Sequence, residues 1–149
     1  MSTAAVRVLV VDDERPALDE LAFLLERDPR VAEVLPVAVP FLCIQPLVEN
    51  AVRHGLETAE GAGHIRIVAR DAGQECVIEV EDDGTGEDPE RVRRALAGDV
   101  ALDSVGLGNV DGRLRSVFGD DYGLVVETAP GAGTKVTVRV PKFAPGVHT

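Results

Sequence analysis

The chain has 149 residues, the size of one domain, so a single hydrophobic core is expected. Fifteen basic against 26 acidic residues give a net charge of −11, which repels nucleic acid and anionic membranes. Apolar residues make up 45% of the chain, but they form neither a transmembrane run nor a signal peptide. We therefore predict a cytoplasmic protein that contacts neither nucleic acid nor membrane.

The N-terminal segment predicts a strand, an acidic loop and a helix. Residues 6–11 are mostly β-branched and mostly apolar, as in a strand that is buried on both faces. Three acidic residues follow, and a helical apolar pattern then covers residues 16–25. The valine-rich residues 30–40 contain two prolines, so they predict either a short strand or a connector.

The rest of the chain predicts three helices and two hairpins. Apolar residues at helical spacing mark the helices, and Gly-rich or Asp-containing turns separate the strands of each hairpin. The predicted ranges are 41–55, 89–96 and 109–118 for helices, 64–70 with 75–82 for the first hairpin, and 124–128 with 135–140 for the second.

Asp82 ends an apolar strand, and the period of two places it on the same face as Ile78 and Val80. A carboxylate on a buried face requires a hydrogen-bond donor, and the exocyclic amino group of adenine is a suitable one. Gly84 and Gly86 follow, where missing side chains permit a tight turn and close approach of a flat base. Taken alone, the motif fits an ordinary Asp-Gly hairpin turn better, so other parts of the chain must support this interpretation.

Four polar residues cluster on one side of the predicted 41–55 helix. Asn50 lies one turn from both Arg53 and His54. An amide oxygen suits Mg²⁺, and a guanidinium can pair with phosphate through two parallel donors. Glu49 then becomes a candidate catalytic residue that orients a metal-bound water. A solvated helix face is the alternative explanation for the cluster.

Two further segments favour a bound nucleotide. The sequence Gly106-Leu107-Gly108-Asn109 directly precedes a predicted helix, where accessible backbone N–H groups and the helix dipole favour phosphate. Thr134 opens the last predicted strand, and its hydroxyl could join a water-bridged network with Asp82. Simple β-propensity explains Thr134 equally well.

In their order along the chain, these pieces resemble the GHKL ATPase superfamily, and within it the LytS-type sensor histidine kinases. Residues 45–55 are similar to the N box, Asp82-Asp83-Gly84-Thr85-Gly86 to the Asp-Asn-Gly-x-Gly box, residues 105–114 to the second glycine box, and residues 133–141 to the closing strand. The resemblance implies a Bergerat fold, an α/β sandwich whose mixed, largely antiparallel sheet has helices on one face. It also implies that ATP and Mg²⁺ are held between a helix and a lid.

The resemblance extends to individual contacts, with Asn50 on the Mg²⁺ ion. The chain departs from the family at Asp83, where Asn is usual, and at Ser104, where a glycine is expected. Pro46 stands where other branches place a general-base Glu, so efficient hydrolysis of ATP by the chain alone is not expected. The implied nucleotide-binding residues are Asn50, Arg53, His54, Asp82, Gly84, Gly86, Ser104, Gly106, Leu107, Gly108, Asn109 and Thr134.

The N-terminal residues resemble a different family, the receiver domain of response regulators. In an intact receiver, Asp12 and Asp13 would hold Mg²⁺ beside a phosphoaccepting Asp on the third strand, but here no third strand follows. A solvated acidic loop is the alternative for this pair. We expect strand 6–11 to join the edge of the kinase sheet, because an isolated βα unit cannot bury its apolar face.

The expected organisation has three parts: a truncated receiver-like βα unit at 1–32, a histidine-kinase-type ATP-binding domain at 33–143 and a tail at 144–149. The expected function is the ATP-Mg²⁺-binding catalytic domain of a two-component sensor histidine kinase that lacks its own phosphoacceptor His. Its partners would be a dimerisation domain carrying that His, or a response regulator. The alternatives are a non-catalytic nucleotide-binding or signalling remnant of a two-component system, and an anti-sigma-factor-type Ser/Thr kinase.

Overall fold

The structure is a computed structural model that describes residues 6–39, 44–56, 63–98 and 106–142. The start of the predicted 41–55 helix and the candidate Ser104 lie outside these ranges. In chain order the elements are β1 (Val6–Asp12), α1 (Arg15–Glu26), β2 (Val31–Ala38), α2 (Gln45–Asn50), a π-helical turn (Ala51–Leu56), β3 (Ile65–Ala72), β4 (Glu75–Asp82), α3 (Pro89–Leu96), α4 (Leu107–Phe118), a 3₁₀ turn (Asp120–Tyr122), β5 (Val125–Thr128) and β6 (Thr134–Pro141).

The main sheet has four antiparallel strands in the order β3-β4-β6-β5. Alternate residues of β4 and β6 are buried, because one face of the sheet is covered and the other faces solvent. Both predicted hairpins are confirmed, since β3 pairs with β4 and β5 pairs with β6. The core side chains contributed by the covered face are Cys76, Ile78, Val80, Val136, Val138 and Val140.

Helices α2 and α4 supply the other half of this core. Leu47 of α2 and Leu114 of α4 are fully buried against the sheet. The fold is therefore the predicted α/β sandwich with a largely antiparallel sheet and helices packed on one face. In the described ranges, no helix is long and apolar enough to cross a membrane.

The N-terminal residues form a βαβ unit. β1 and β2 pair in parallel, α1 connects them, and Leu18 of α1 is buried. The valine-rich segment is thus a strand, and it extends across the boundary expected between residues 32 and 33. The unit is complete as a supersecondary motif, because parallel strands require a crossover connection of this kind.

The expectation that β1 joins the edge of the main sheet is wrong. β1 belongs to a separate two-stranded sheet, because β2 offers it a parallel partner through the α1 crossover. A cavity of about 310 Å³ lies between the end of β1 and the face of β3 and β4. The two sheets share one hydrophobic core, because Val37 of β2 packs with the buried side chains of β4 and β6. An ion pair also joins them, in which Arg7 of β1 donates to Asp71 of β3 at 3.3 Å. Within the main sheet, Lys142 binds the same carboxylate, and this hydrogen bond lowers the pKa of Asp71.

The buried carboxylate of Asp111, which was not predicted from the sequence, links α4 to the residue before β5. Asp111 is only 4% exposed. Its Oδ1 accepts the backbone N–H of Leu124 at 2.8 Å, and its Oδ2 accepts Nε of Arg115 at 2.9 Å. Arg115 also donates to the carbonyl oxygen of Asp120 at 2.6 Å. This carboxylate therefore determines the path of the chain from the end of α4 to β5.

We predict that Asp111→Ala lowers the free energy of unfolding by about 2 kcal/mol, because the buried N–H of Leu124 loses its acceptor. Urea denaturation of the wild type and the variant measures the loss. Asp111→Asn is the matched control, since its amide oxygen still accepts from Leu124 and its loss should be smaller. Equal losses in the two variants would contradict this assignment.

Candidate functional site

The candidate site begins where β4 ends and β6 starts. Asp82 and Thr134 are direct partners in the register of these two strands. The side chain of Asp82 is buried, at 7% exposure, and its Oδ1 accepts the backbone N–H of Gly84 at 2.9 Å. The Asp-Gly turn predicted from the sequence is therefore present, and it holds a buried carboxylate.

Four predicted site residues from four different elements line one small cavity. They are Asn50 at the end of α2, Asp82 at the end of β4, Leu107 at the start of α4 and Thr134 at the start of β6. The cavity has a volume of about 30 Å³, which is enough for a water molecule. Its other lining residues are Glu87, Val92 and Val126.

The turn after Asp82 packs directly on the turn before Thr134. Gly86 has a φ of +68°, and a Cβ at this position would lie less than 3.0 Å from the carbonyl oxygen of Ala129. Gly133 has a φ of +75°, and its Cβ would approach the carbonyl oxygen of Asp82 equally closely. The N–H of Gly131 donates to the carbonyl of Thr85 at 2.6 Å. Both glycines thus permit contact between two backbone segments, and this contact fixes the position of Asp82.

The other polar residues of the N-box helix lie on its exposed side. Glu49 is exposed and accepts a hydrogen bond from Nε2 of Gln45 at 2.9 Å. Arg53 is exposed in the π-helical turn. Of this cluster, Asn50 reaches the cavity, whereas Glu49 and Arg53 do not line it. The side chain of His54 lies outside the described part of the chain.

The predicted Gly-x-Gly segment forms the N-terminus of α4. Gly106 is the N-cap with a φ of +75°, a left-handed conformation that favours glycine. Leu107 is buried and lines the cavity, whereas Asn109 is exposed. The positive end of the α4 dipole therefore lies beside the cavity that Asn50 and Asp82 line.

Asp83 has a structural role that the sequence did not predict. Its Oδ1 accepts the backbone N–H of His64 at 2.7 Å, and its Oδ2 lies 2.9 Å from Nδ1 of His64. The bonds from the backbone and side chain of His64 lower the pKa of the Asp83 carboxyl. This departure from the family's usual Asn fastens the start of β3 to the end of β4.

We predict that Asp83 stabilises the fold in a pH-dependent way. Its pKa is lower in the folded than in the unfolded chain, so its contribution is present above the ordinary value of 3.8 and is lost as the pH falls through the folded value. The unfolding free energy of the wild type should therefore exceed that of Asp83→Asn at about pH 6, and the gap should close towards about pH 3. Urea denaturation across this range measures the gap, and a constant gap would argue against the carboxylate.

The side chains of the site also indicate how a metal ion could be bound. Among the described residues, no three His, Cys, Asp or Glu side chains cluster as metal ligands. Mg²⁺ is typically held by one or two protein oxygens, with water and phosphate oxygens completing its shell. Asn50 lines the cavity and carries one amide oxygen, so it fits a magnesium ion that arrives with a nucleotide better than one bound by protein alone.

Residues 39–144 match the family of histidine kinase-, DNA gyrase B- and HSP90-like ATPases. The match covers most of the chain, so the chain belongs to this family. It starts directly after β2, which places the βαβ unit outside the matched region.

Individual relatives agree with the family. The chain is 38% identical over 103 residues to the sensor histidine kinase BtsS of Escherichia coli, covering 69% of this chain and 17% of that protein. It is 30% identical over 114 residues to the sensor protein LytS of Bacillus anthracis, covering 74% of this chain and 19% of that protein. The chain therefore spans less than a fifth of the length of these two curated relatives.

A solved structure shows the same fold. The histidine kinase domain of the blue-light activated histidine kinase EL346 from Erythrobacter litoralis superimposes with a TM-score of 0.55 at 17% sequence identity. The alignment covers 95% of this chain and 53% of that one. At this identity the likeness establishes the fold alone, and the match over residues 39–144 establishes the family.

Proposed function

We propose that this chain is the ATP-Mg²⁺-binding catalytic domain of a two-component sensor histidine kinase. The observation that carries the proposal is the cavity at which Asn50, the buried Asp82 and Thr134 meet. These residues come from three elements far apart in the sequence, and the fold brings them together at the N-terminus of α4. Membership of the ATPase family and likeness to proteins named sensor histidine kinases support the same conclusion.

In this function, Asp82 and Asn50 each have one role. Asp82 accepts a hydrogen bond from the adenine amino group, which a carbonyl-bearing base would not supply. Asn50 offers its amide oxygen to Mg²⁺, which would supply neutralising charge beside the phosphates. The N-terminus of α4 would bind the phosphate oxygens, and the exposed Arg53 would pair with them from outside the cavity. The remaining contacts are those that the family resemblance implies at His54, Gly84, Gly86 and Ser104.

The chain would act by positioning ATP for transfer to a His on another domain. Phosphoryl transfer needs alignment and charge neutralisation more than covalent participation by the protein. Glu49 is exposed one residue before Asn50, where it can orient a water or an acceptor group. We place this activity in the cytoplasm, with a dimerisation domain or a response regulator as the protein partner.

We also propose that the receiver-like unit ends at Ala38, not at residue 32. β2 pairs with β1 from Val31 to Ala38, with one register shift at Ala32, and the match to the ATPase family begins at residue 39. Residues 39–143 then form the ATP-binding domain and residues 144–149 a tail.

Calorimetric titration with a non-hydrolysable ATP analogue, in Mg²⁺ and in EDTA, tests the binding proposal. The wild type should bind more tightly in Mg²⁺, whereas Asn50→Leu should show little difference between the two conditions. Val52→Ala is the matched control, because this nearby side chain is exposed and does not line the cavity. Absence of binding by the wild type would overturn the proposal.

Transfer is tested separately with labelled ATP and an isolated dimerisation hairpin of a related kinase. Acid-labile label on the hairpin His is the expected outcome. Acid-stable label on a Ser would instead identify a Ser/Thr kinase of the anti-sigma-factor type. Binding of ATP without any transfer would identify a non-catalytic nucleotide-binding module.

A further inference from the structure

We propose that the cavity of about 310 Å³ between the βαβ unit and the main sheet binds a small organic cation, an amine with one or two apolar rings. This site is separate from the nucleotide site, because no described residue lines both cavities. Ligand sites in proteins typically measure about 300–1,000 Å³ and have mainly apolar linings with a few polar groups. The cavity lies at the lower end of this range, so it suits a ligand with a small ring system.

Strand β3 supplies an apolar wall that is incompletely covered by the protein. Ile67 is the register partner of the buried Val80, and both belong to the core face of the sheet. Ala69 is likewise the partner of the buried Ile78. Nevertheless, Ile67 is 53% exposed and Ala69 is exposed as well. An apolar ring in the cavity would remove this surface from water, which favours binding.

The polar lining determines the charge of the ligand. Asp12 and Asp13, at the end of β1, line the cavity together with Gln45, and none of its described lining residues is basic. An ionised carboxylate only accepts hydrogen bonds, so the ligand has to supply the donors. An ammonium group supplies donors and the opposite charge together, whereas an anionic ligand would face two negative charges.

The Asp12 carboxylate can accept a ligand in addition to its bond within the protein. Its Oδ1 accepts the backbone N–H of Glu14 at 2.7 Å. A carboxylate has about four acceptor positions on its two oxygens, so this bond leaves capacity for an ammonium group. The bond also holds the carboxylate in place at the end of β1.

A metal ion is the other cation that two carboxylates could attract. Mg²⁺ keeps several of its waters when it binds to protein, and those waters need polar partners. The remaining described lining of this cavity is apolar apart from Gln45, so it offers few such partners. An organic cation uses both the carboxylates and the apolar wall, and it therefore fits the whole lining better.

NMR titration of the isotope-labelled chain tests the site with tryptamine, which joins a two-ring apolar body to an ammonium group. Saturable shifts are expected at the amides of residues 12, 13, 67–69 and 78, which belong to the cavity wall. Indolepropionate is the matched probe, because it carries a carboxylate on the same ring and a chain of the same length. It should bind at least about tenfold more weakly, since it cannot donate to the carboxylates.

Ala69→Leu tests the position of the probe. The larger side chain would occupy part of the cavity, so the affinity for tryptamine should fall by about tenfold or more. Ala72→Leu is the matched control, because it makes the same change on the same strand. Ala72 is exposed and does not line the cavity, so its replacement should leave the affinity unchanged.

A double variant, Asp12→Asn with Asp13→Asn, tests the charge. It should weaken tryptamine by about tenfold or more, because the charge-assisted hydrogen bonds are lost. Its Asn amide oxygen at position 12 can still accept the N–H of Glu14, so the loop keeps this bond. The control is Asp19→Asn with Glu20→Gln, which removes two exposed charges outside the cavity and should change the affinity about twofold or less.

Three results would overturn the inference. Tryptamine shifts at residues 82 and 84, without shifts in β3, would place the probe in the nucleotide cavity. Equal affinity for the two probes, or equal affinity of wild type and Ala69→Leu for tryptamine, would show that binding is not specific to this site. Shifts at residues 12–14 with MgCl₂ alone, and none with tryptamine, would assign the carboxylates to a metal ion. No nucleotide is present in these titrations, so their failure leaves the proposed ATP function standing.

Discussion

Replacing Asp82 by Asn is expected to weaken binding of a non-hydrolysable ATP analogue about 10- to 100-fold. A hydrogen bond to a charged group contributes about 1.5–3 kcal/mol, and the adenine amino group would lose a carboxylate acceptor. The Asn amide oxygen can keep the bond from Gly84, but its NH₂ group is then left to face the ligand. Calorimetric titration of the wild type and the variant measures the change.

Asp83→Asn is the matched control for this prediction, because it makes the same chemical change at the next residue. Asp83 is exposed, is bonded to His64 and does not line the cavity. Its replacement should leave nucleotide affinity unchanged. Equal affinity in the wild type and Asp82→Asn would remove Asp82 from the adenine site.

The second large effect is expected for Gly86→Ala, which should lower the free energy of unfolding by more than about 3 kcal/mol. The positive φ of Gly86 costs about 1–2 kcal/mol for any residue with a Cβ, and that Cβ would also collide with the backbone carbonyl of Ala129. The backbone cannot move aside easily, because Gly131 donates to Thr85 at the same place. Urea denaturation measures the loss.

Gly73→Ala separates the cost of the backbone conformation from the cost of the collision. Gly73 also has a positive φ, of +80°, but a Cβ there would meet no atom within 4 Å. This variant should lose only about 1–2 kcal/mol, the part that comes from the backbone conformation. Similar losses at the two positions would show that the two turns do not depend on their contact.

The elements predicted from the sequence correctly are those with local signals. The β3-β4 hairpin follows from alternating residues around a Gly turn, and α3 follows from its N-terminal proline and apolar spacing. The partner of β1 was predicted wrongly. Its residues predict a strand buried on both faces, whereas only Val10 of β1 is buried. The sequence also does not determine whether β2 or β3 lies beside it, since strand pairing depends on tertiary context.

In the candidate site, too, residues with a local sequence signal were predicted, and residues defined by tertiary contacts were not. Asp82 was predicted because a carboxylate at the end of an apolar alternating run must be buried and hydrogen-bonded. Asp111 was not, because an Asp in a helix of mixed polarity resembles a solvated residue until its fold partner Leu124 is known.

The position of β6 in the sheet has a consequence for how the protein is made. β6 lies between β4 and β5 and supplies the partner of Asp82. During synthesis the β3-β4 hairpin leaves the ribosome before α4, β5 and β6, so the apolar side chains of Ile78 and Val80 face an incomplete layer. The sheet and the cavity therefore cannot assemble until residue 141 has emerged. Until then the nascent chain exposes an apolar strand edge, of the kind that chaperones protect from aggregation.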